Sequence, residues 1–388
     1  MSEFLFIEPL DVLHLRGNLL FGGPGDHAET LMPPWPSVAA GAIRSRMLAD
    51  GRVDLRAFAK GQEPPLAPPL RAALGTPARP GSFRLFHFSI ARRSGGRIEA
   101  LFPLPADLRA VGADRAQSGL HVIPLEPVKL DPQIGISAAL EGIPVWRSSL
   151  SAKPLGGLWL DSSSLSAYLA GELVDARKLV RQESLWAADP RLGIAMDSNT
   201  RTAEKGRIYT SEGAAFREGV GFLAGVQGAD GVLPRGGLLR FGGDGRGAVV
   251  SRAAVVLPEP PWERILSERR FRIVLSTPGI FPGGWIPPGF ELKDRQWLLQ
   301  KEDISCRLVA AATSRAGVVS GWDLASQRPK TACRAAAAGS VYWCDDFKGD
   351  IAALKRMQEN GLWGLLPNED PMRRAEGFNN IMIAAWPR

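Results

Sequence analysis

The sequence predicts an α+β fold of two similar halves joined by a proline-rich linker. Short apolar segments with aromatic and β-branched residues, typical of strands, recur along all 388 residues. Two segments, near 37–50 and 350–360, instead repeat apolar side chains at helical spacing. The chain contains 43 glycines and 31 prolines, which indicates short elements with many turns rather than a helical bundle.

The first half begins with a predicted strand at residues 4–10 (FLFIEPL). A long Gly- and Pro-rich loop covers residues 13–36, and Ser37 is expected to cap a helix that runs to about Asp50. Further along, the sequence predicts two strands around a Ser-Gly-Gly turn at 83–104, a helix near 164–172, strand–loop–strand at 191–212 and a strand at 216–228.

The linker is PEPPWE (258–263), and the second half repeats the alternation of strands and helices. Its strands are predicted at 270–281 and within CRLVAAA, AGSVYWC and NNIMIAAW, and its helix at Asp350 to about Asn360. One ferredoxin-like β-α-β unit is therefore predicted in each half. The expected domains are 1–258, with an insertion over about 126–215, and 259–388.

A glycine-rich stretch, LRFGGDGRGAV (239–249), joins two extended segments. Its spacing does not fit a dinucleotide-binding fingerprint, and it lacks the lysine of a P-loop. Asp244 has a glycine where a two-metal palm needs a second acid. The stretch is therefore interpreted as a hairpin turn whose glycines supply positive φ.

The sequence contains no convincing catalytic constellation, so we predict no catalytic residue, cofactor or metal ligand. The three cysteines are far apart without a C-x-x-C pair, which indicates reduced thiols. Among four histidines, only His27 lies in a polar loop and could serve as the general acid or base of a ribonuclease. No apolar run is long enough to cross a membrane and no signal peptide is evident, so a cytoplasmic protein is expected.

Net charge is +7, carried mainly by arginine, which binds phosphate in planar, bidentate geometry. Basic and polar residues also gather in loops with glycines, where the backbone can approach a sugar-phosphate chain. Nucleic acid is therefore the leading partner. The predicted RNA-binding residues are Arg16, Asn18, His27, Arg44, Arg46, Asn199, Arg201, Thr202, Lys205, Arg207, Arg240 and Arg246.

Several stretches, in order along the chain, resemble the RAMP superfamily of CRISPR proteins, and within it the third subunit of the Cmr module of type III-B complexes. They are FIEPLDVLHLRGNLLFGG, PPWPSVAAGAIRSRML, LGIAMDSNTRTAEKGRIYTSE, LLRFGGDGRGAVV, SGWDLASQRPKTACRAAAAGSVYW and GFNNIMIAAW. The chain departs from the family pattern after the first strand, where Arg16-Gly17-Asn18-Leu19-Leu20-Phe21 lacks one acid and one arginine.

The resemblance implies two ferredoxin-like, RRM-related domains without nuclease activity. It implies a subunit that caps the 5′ handle of the guide RNA beside the large palm-containing subunit and the backbone RAMP subunit. Target RNA would be met only indirectly, and the β-rich insertion would kink the guide at the handle boundary. By motif, RNA contact carries onto Arg16, Arg44, Arg46, Asn199, Arg201, Thr202, Lys205, Arg207 and Arg246.

Two alternatives stay open at this point. One is a guide-processing endoribonuclease of the same superfamily that uses His27. The other is the equivalent cap subunit of a type III-A or type I complex, against which the GWD and AGSVY stretches argue.

Overall fold

The computed structural model describes residues 2–17, 27–28, 30–62, 65–112, 119–129, 131, 138–147, 153–197, 199–323 and 327–387, and all of their side chains except those of 27–28 and 205–207. The helices are α1 (Pro36–Asp50), α2 (Leu55–Ala59), α3 (Pro68–Leu74), α4 (Ser162–Leu169), α5 (Trp262–Glu268), α6 (Ile351–Asn360) and α7 (Pro371–Ala375). Short 3-10 turns lie at Ala176–Lys178, Gln182–Ser184 and Gly361–Leu365.

The strands follow in chain order. Those before the linker are β1 (Ser2–Pro9), β2 (His27–Ala28), β3 (Arg84–Ser94), β4 (Arg97–Pro103), β5 (Leu108–Val111), β6 (His121–Pro124), β7 (Glu126–Lys129), β8 (Gly142–Val145), β9 (Leu158–Leu160), β10 (Val180–Arg181), β11 (Trp186–Met196), β12 (Ala203–Phe216), β13 (Val220–Gln227), β14 (Gly236–Arg240) and β15 (Gly247–Ala253). Those after it are β16 (Phe271–Leu275), β17 (Phe290–Lys293), β18 (Gln296–Gln300), β19 (Ile304–Ala312), β20 (Gly317–Val319), β21 (Trp322–Asp323), β22 (Arg328–Pro329), β23 (Cys333–Ala335), β24 (Val341–Gly349) and β25 (Ile381–Ala384).

The first sheet is antiparallel and has the order β10-β9-β4-β3-β13-β1-β15-β14. Successive side chains of a strand point to opposite faces of the sheet. Those of its strand β1 are buried on both faces. Leu5 and Ile7 join the core beneath α1, whereas Phe6 joins a second core that includes residues of α4. The apolar run FLFI therefore predicts a central strand correctly.

The second sheet has the order β17-β18-β19-β24-β16-β25 and is likewise antiparallel. Ile273 of β16 packs with Leu354 of α6 on one face. On the other face, Val274 joins the same core as Phe6 of the first sheet. The two halves thus share one hydrophobic core, and the predicted mixture of helices with antiparallel sheets is confirmed.

A buried ion pair crosses between the halves. The Arg272 guanidinium donates to Asp107 Oδ2 at 2.5 Å and to the Tyr168 and Ala385 carbonyls at 2.8 Å each. Tyr168 in turn donates to Asp107 Oδ1 at 2.8 Å. Burial raises the pKa of Tyr168 well above its ordinary value, so this phenol stays protonated and remains a donor.

The helices predicted near 37–50, 164–172 and 350–360 are confirmed, but the N-cap residue predicted for the first of them is wrong. Helix α1 begins at Pro36 after Trp35, without a side-chain cap, so the assignment of Ser37 as N-cap is wrong. Proline is favoured at the first helical position, where its missing N–H leaves no hydrogen bond unmade. Asp161 and Asp350 cap α4 and α6 through their side chains.

The domain boundary after residue 258 stays a prediction. The last strand of the first sheet ends at Ala253 and the first of the second begins at Phe271, with α5 between them. Within the predicted insertion, β9 and β10 pair with the first sheet, whereas β11 and β12 form a separate hairpin to which β2 adds in parallel. In the described ranges, no helix is long and apolar enough to cross a membrane.

Candidate nucleic-acid interface

The loop after β1 (residues 10–17) and the glycine-rich turn (residues 241–246) pack against each other through their backbones. Gly243 donates its N–H to the His14 carbonyl at 2.7 Å, and Leu10 donates to the Gly247 carbonyl at 3.1 Å. Gly242 has φ 79°, and a Cβ at that position would stand 2.9 Å from the His14 oxygen. The prediction of a turn with positive-φ glycines is confirmed, and the close approach explains why glycine is required there.

Arg246 is held in place by two neighbours from the β1 loop. Its Nη1 donates to Asp11 Oδ2 at 2.8 Å, and its Nη2 lies 3.3 Å from His14 Nε2. A guanidinium can only donate, so His14 Nε2 is the acceptor in this contact. The Nε of Arg246 is buried and has no hydrogen-bond partner within the described residues. The side chain is a quarter exposed, so part of an oriented guanidinium faces solvent.

Arg16 and Arg240 flank this turn. The backbone of Arg16 bridges to Thr30, while its guanidinium is half-exposed and reaches within 3.9 Å of Asp244 Oδ1. Arg240 ends β14 opposite Gly247 and has an exposed side chain. An ion pair this long and exposed contributes at most about 1 kcal/mol.

Asn199, Arg201 and Thr202 lie at the tip of the β11–β12 hairpin. Asp197 Oδ1 accepts the N–H groups of Asn199 and Thr200 at 2.8 Å each, and Arg201 adopts φ 55°. These backbone hydrogen bonds lower the pKa of Asp197 below its usual range. The tip is therefore an ordered turn that carries exposed polar and basic side chains.

The hairpin separates two groups of predicted residues. Its base touches the β1 loop through the Leu13–Ala214 bridge. Ala188 pairs with Ala214 and Met196 with Ala203, so this interval is eight residues long on β11 and spans about 26 Å at 3.3 Å per residue. Arg16, Arg240 and Arg246 consequently lie near the base and Arg201 at the far end, which makes two patches rather than one.

One face of the hairpin carries an apolar stripe that the sequence analysis did not assign. Leu192, Ile194 and Met196 alternate along β11, and Ile208 stands directly opposite Ile194. All four are between 48% and 69% exposed, whereas monomers rarely expose contiguous apolar patches without a function. The alternation Leu-Gly-Ile-Ala-Met is visible in the sequence, but only the structure shows that nothing within the described residues covers it.

Two predicted residues on α1 have partners within the protein. Arg46 donates from Nε to Asp50 at 2.7 Å and also contacts the Leu238 carbonyl on β14. Arg44 reaches Met372 Sδ at 3.5 Å, and burial lowers its pKa. Both arginines therefore tie α1 to neighbouring elements, Arg46 to β14 and Arg44 to α7, and their contact with RNA stays a prediction.

The remaining predicted residues are only partly described. Asn18 lies outside the described residues, as do the side chains of His27, Lys205 and Arg207. The backbone of His27 is not simply loop, since it pairs in parallel with Thr210 of β12.

His87 is a packed histidine inside β3. Its Nε2 lies 2.9 Å from the Ser89 hydroxyl, and complete burial lowers its pKa to about 4. No group of three or more potential metal ligands occurs in the part of the chain that the structure describes.

Comparison with known proteins places the chain among the CRISPR-associated proteins. The family model described as CRISPR-associated protein (Cas_Cmr3) matches residues 5–386. The chain therefore belongs to the Cas_Cmr3 family, and the predicted membership of the Cmr module of type III-B systems is confirmed.

Solved structures give distant matches. A chain of the type III-B Cmr-beta complex bound to cognate target RNA is 16% identical, with 98% of this chain and 96% of that chain covered and a TM-score of 0.48. A chain of the same complex bound to target RNA and AMPPnP is 15% identical, with 96% and 91% covered and a TM-score of 0.47. No curated protein gives a significant match.

Proposed function

We propose that this chain is the subunit that binds and caps the 5′ handle of the guide RNA in a type III-B effector complex, and that it does so with the β1 loop, the glycine-rich turn and the β11–β12 hairpin. The observation that carries the proposal is Arg246, which Asp11 and His14 orient at the edge of a turn where the backbone is also accessible. Arg16 and Arg240 add two further guanidinium groups beside it.

Each half has the strand order of a ferredoxin-like unit. In the first half, β3-β13-β1-β15 places the first strand in the middle, with α1 between β1 and β3. In the second half, β19-β24-β16-β25 repeats this order, with α6 between β24 and β25. Each unit keeps one of the two helices of the motif, which supports tandem ferredoxin-like domains.

The burial of β1 supports a path for the RNA away from the sheet face. RRM domains stack bases on an open sheet face, but Leu5, Phe6 and Ile7 are completely buried here. The sheet face is therefore closed, which supports binding of the RNA along the loops at the strand ends. Recognition there rests on backbone, phosphate and 2′-hydroxyl contacts, which suits a handle whose sequence never changes and leaves the target to base pairing.

The apolar stripe fits a wedge at the handle boundary. Apolar side chains of other nucleic-acid-binding proteins insert between bases and unstack them. Ile194 and Met196, on a projecting hairpin with a basic tip, have the character needed to separate the first guide bases from the handle.

We propose a binding role without catalysis, between the large palm-containing subunit and the backbone RAMP subunit in the cytoplasm. His14 accepts a hydrogen bond from Arg246 and so acts as a positioning group for this guanidinium. Guide processing with His27 as general acid or base is the competing function, and the assay below distinguishes the two.

The test replaces Arg16 and Arg246 with glutamine in the same chain and measures the affinity for repeat-derived handle RNA at several salt concentrations. Asp11 is exposed, so loss of its partner leaves the fold intact. The proposal predicts weaker binding and a slope of log affinity against log salt that is flatter by about 1.4, since each single-strand phosphate contact contributes about 0.7. The matched control is Arg177→Gln, because Arg177 is also an exposed arginine beside an aspartate.

An unchanged salt slope in the double variant would show that these arginines do not touch phosphate. We expect the wild-type protein to leave handle RNA intact after incubation. Cleaved repeat RNA that becomes intact with His27→Ala would establish the nuclease function instead.

A further inference from the structure

A two-stranded ribbon in the second half presents an exposed tryptophan. Trp322 on β21 faces Pro329 on β22, and Asp323 faces Arg328. The Trp322 side chain is 55% exposed, although tryptophan is among the residues that proteins bury most extensively. A large aromatic surface left open in this way indicates a binding role.

The base of the ribbon is anchored rigidly. Lys330 donates its N–H to the Gly321 carbonyl at 2.9 Å, and the Ser320 hydroxyl donates to the Lys330 carbonyl at 2.7 Å. Buried Arg373 donates to the carbonyls of Ser320 at 3.1 Å and Thr331 at 3.4 Å.

A buried acid completes this anchor. Glu376 accepts from Arg373 at 3.0 Å and also contacts the Lys330 ammonium. An aromatic side chain on such a fixed base is oriented before any ligand arrives, which lowers the entropic cost of binding.

The charge around the ribbon favours a polyanion. Arg315, Arg328 and Arg334 are exposed, whereas Asp323 is the one acid between residues 313 and 336. Lys330 is already matched by Glu376, so the three arginines give this surface its positive charge. Tryptophan with arginine is the combination that holds single-stranded nucleic acid, since bases stack on the ring and arginines meet the phosphates.

The ribbon also lies near Trp35, which precedes α1 in the first half. Trp35 packs against the cluster that contains Val319 and Ala335 of the neighbouring β20–β23 pair. Leu31 donates its N–H to the Leu15 carbonyl at 2.6 Å, and the four residues from Leu31 to Trp35 reach at most about 14 Å. A strand of several nucleotides can therefore touch both places.

We propose that Trp322 is a stacking platform for one unpaired base of single-stranded RNA, with Arg328 and Arg334 on the adjacent phosphates. The platform extends the interface from the first half onto the second. The identity of the strand as the guide handle rests on the proposed function above, whereas stacking of an unpaired RNA base on Trp322 does not.

The test measures binding of repeat-derived single-stranded handle RNA to the full-length protein and its Trp322→Ala and Trp322→Phe variants. Loss of the ring is expected to weaken binding about 5- to 100-fold, and phenylalanine is expected to restore most of it. The control is Trp285→Ala, because Trp285 is another partly exposed tryptophan of the second half. The melting temperature of each variant verifies the fold.

Handle RNAs with a single abasic nucleotide at each position in turn locate the stacked base. At one position the abasic RNA should bind wild-type protein weakly and Trp322→Ala equally weakly, because neither complex can stack. Equal losses for Trp322→Ala and Trp285→Ala, or a Trp322→Ala effect that no abasic position removes, would overturn the stacking proposal.

The two proposals fail in distinguishable ways. Normal RNA binding by Trp322→Ala, together with weakened binding by the Arg16 and Arg246 double variant, would overturn the platform and leave the proposed function standing. Normal RNA binding by Trp322→Ala with lost co-purification of a protein subunit would make the ribbon a protein-docking surface. Normal RNA binding by all of these variants would overturn both proposals.

Discussion

At the scale of single residues, the interface depends on a glycine that lets two loops meet. Gly242 and Gly245 both adopt left-handed conformations, with φ 79° and 67°. A Cβ would meet the His14 oxygen at Gly242 but nothing within 4 Å at Gly245. Substitution of Gly245 therefore measures backbone strain alone, whereas substitution of Gly242 measures backbone strain together with the loss of the contact between the two loops.

Gly245→Ala should lower the free energy of unfolding by about 1 kcal/mol, the usual cost of left-handed backbone for alanine. Gly242→Ala should cost about 1–2 kcal/mol more and should also weaken handle RNA binding, because Arg246 moves with the turn. Urea unfolding and RNA titration measure the two effects. Equal costs at both positions would contradict the close packing of the turn on His14.

His87 makes the stability of the protein depend on pH. Burial depresses its folded-state pKa to about 4, below the ordinary value of 6.5. As pH falls below 6.5, His87 therefore becomes protonated in the unfolded chain but stays neutral in the folded chain. The contribution of neutral His87 is fully present above about pH 6.5 and is lost progressively toward pH 4, by roughly 3 kcal/mol.

His87→Gln should consequently unfold with a weaker pH dependence between pH 6.5 and 4 than the wild type, although it is less stable at pH 7. Urea midpoints across this range measure the difference. Parallel pH profiles for the two proteins would show that His87 is not the group responsible.

At the scale of elements, the β11–β12 hairpin combines a long antiparallel pairing with an exposed apolar face that stability alone does not require. Ile194 and Met196 are half-exposed or more, so serine at both positions should change the free energy of unfolding by less than about 1 kcal/mol. The same change removes the apolar surface that the wedge role needs.

We expect Ile194→Ser with Met196→Ser to reduce the fluorescence rise of a 2-aminopurine placed in the guide at the handle boundary, since this base brightens when it unstacks. The matched control is Leu173→Ser, at an exposed leucine outside the hairpin. An undiminished signal in the hairpin variant would contradict the wedge.

The elements were predictable where local pattern decides them. The stripe of Ile43 and Met47 predicts α1, and continuous apolar runs predict β1 and β13. The N-cap at Ser37 was wrong because a proline at the first helical position competes with capping side chains. The pairing of β2 with β12 joins residues far apart in sequence and leaves no local pattern to find.

The candidate site was predictable only as a set of residue types. The glycine-rich turn and its arginines carry a local signature, so Arg16, Arg240 and Arg246 were found together. The surroundings of Arg46 could not be predicted from local sequence, because its partner Leu238 lies 192 residues away in the chain. The stripe and Trp322 could be recognised only once their exposure was known.

At the scale of the whole molecule, the two halves are expected to unfold together. Both sheets contribute to one hydrophobic core, which contains Phe6 of the first half and Val274 of the second. The buried ion pair of Arg272 with Asp107 also joins the two halves. A single cooperative calorimetric transition is expected, and Asp107→Ala should lower stability by about 3–5 kcal/mol because it leaves a buried guanidinium without its carboxylate. Two separate transitions in the wild type would contradict the shared core.

The central claim is that loops at the strand ends of the first half hold the RNA. The most direct measurement is photo-cross-linking of the full-length protein to handle RNA that carries 4-thiouridine, followed by mass spectrometry of the linked peptides. The account predicts cross-links within residues 10–17 and 241–247. Cross-links found only on the α5–α6 surface of the second half, with none in these two loops, would contradict it.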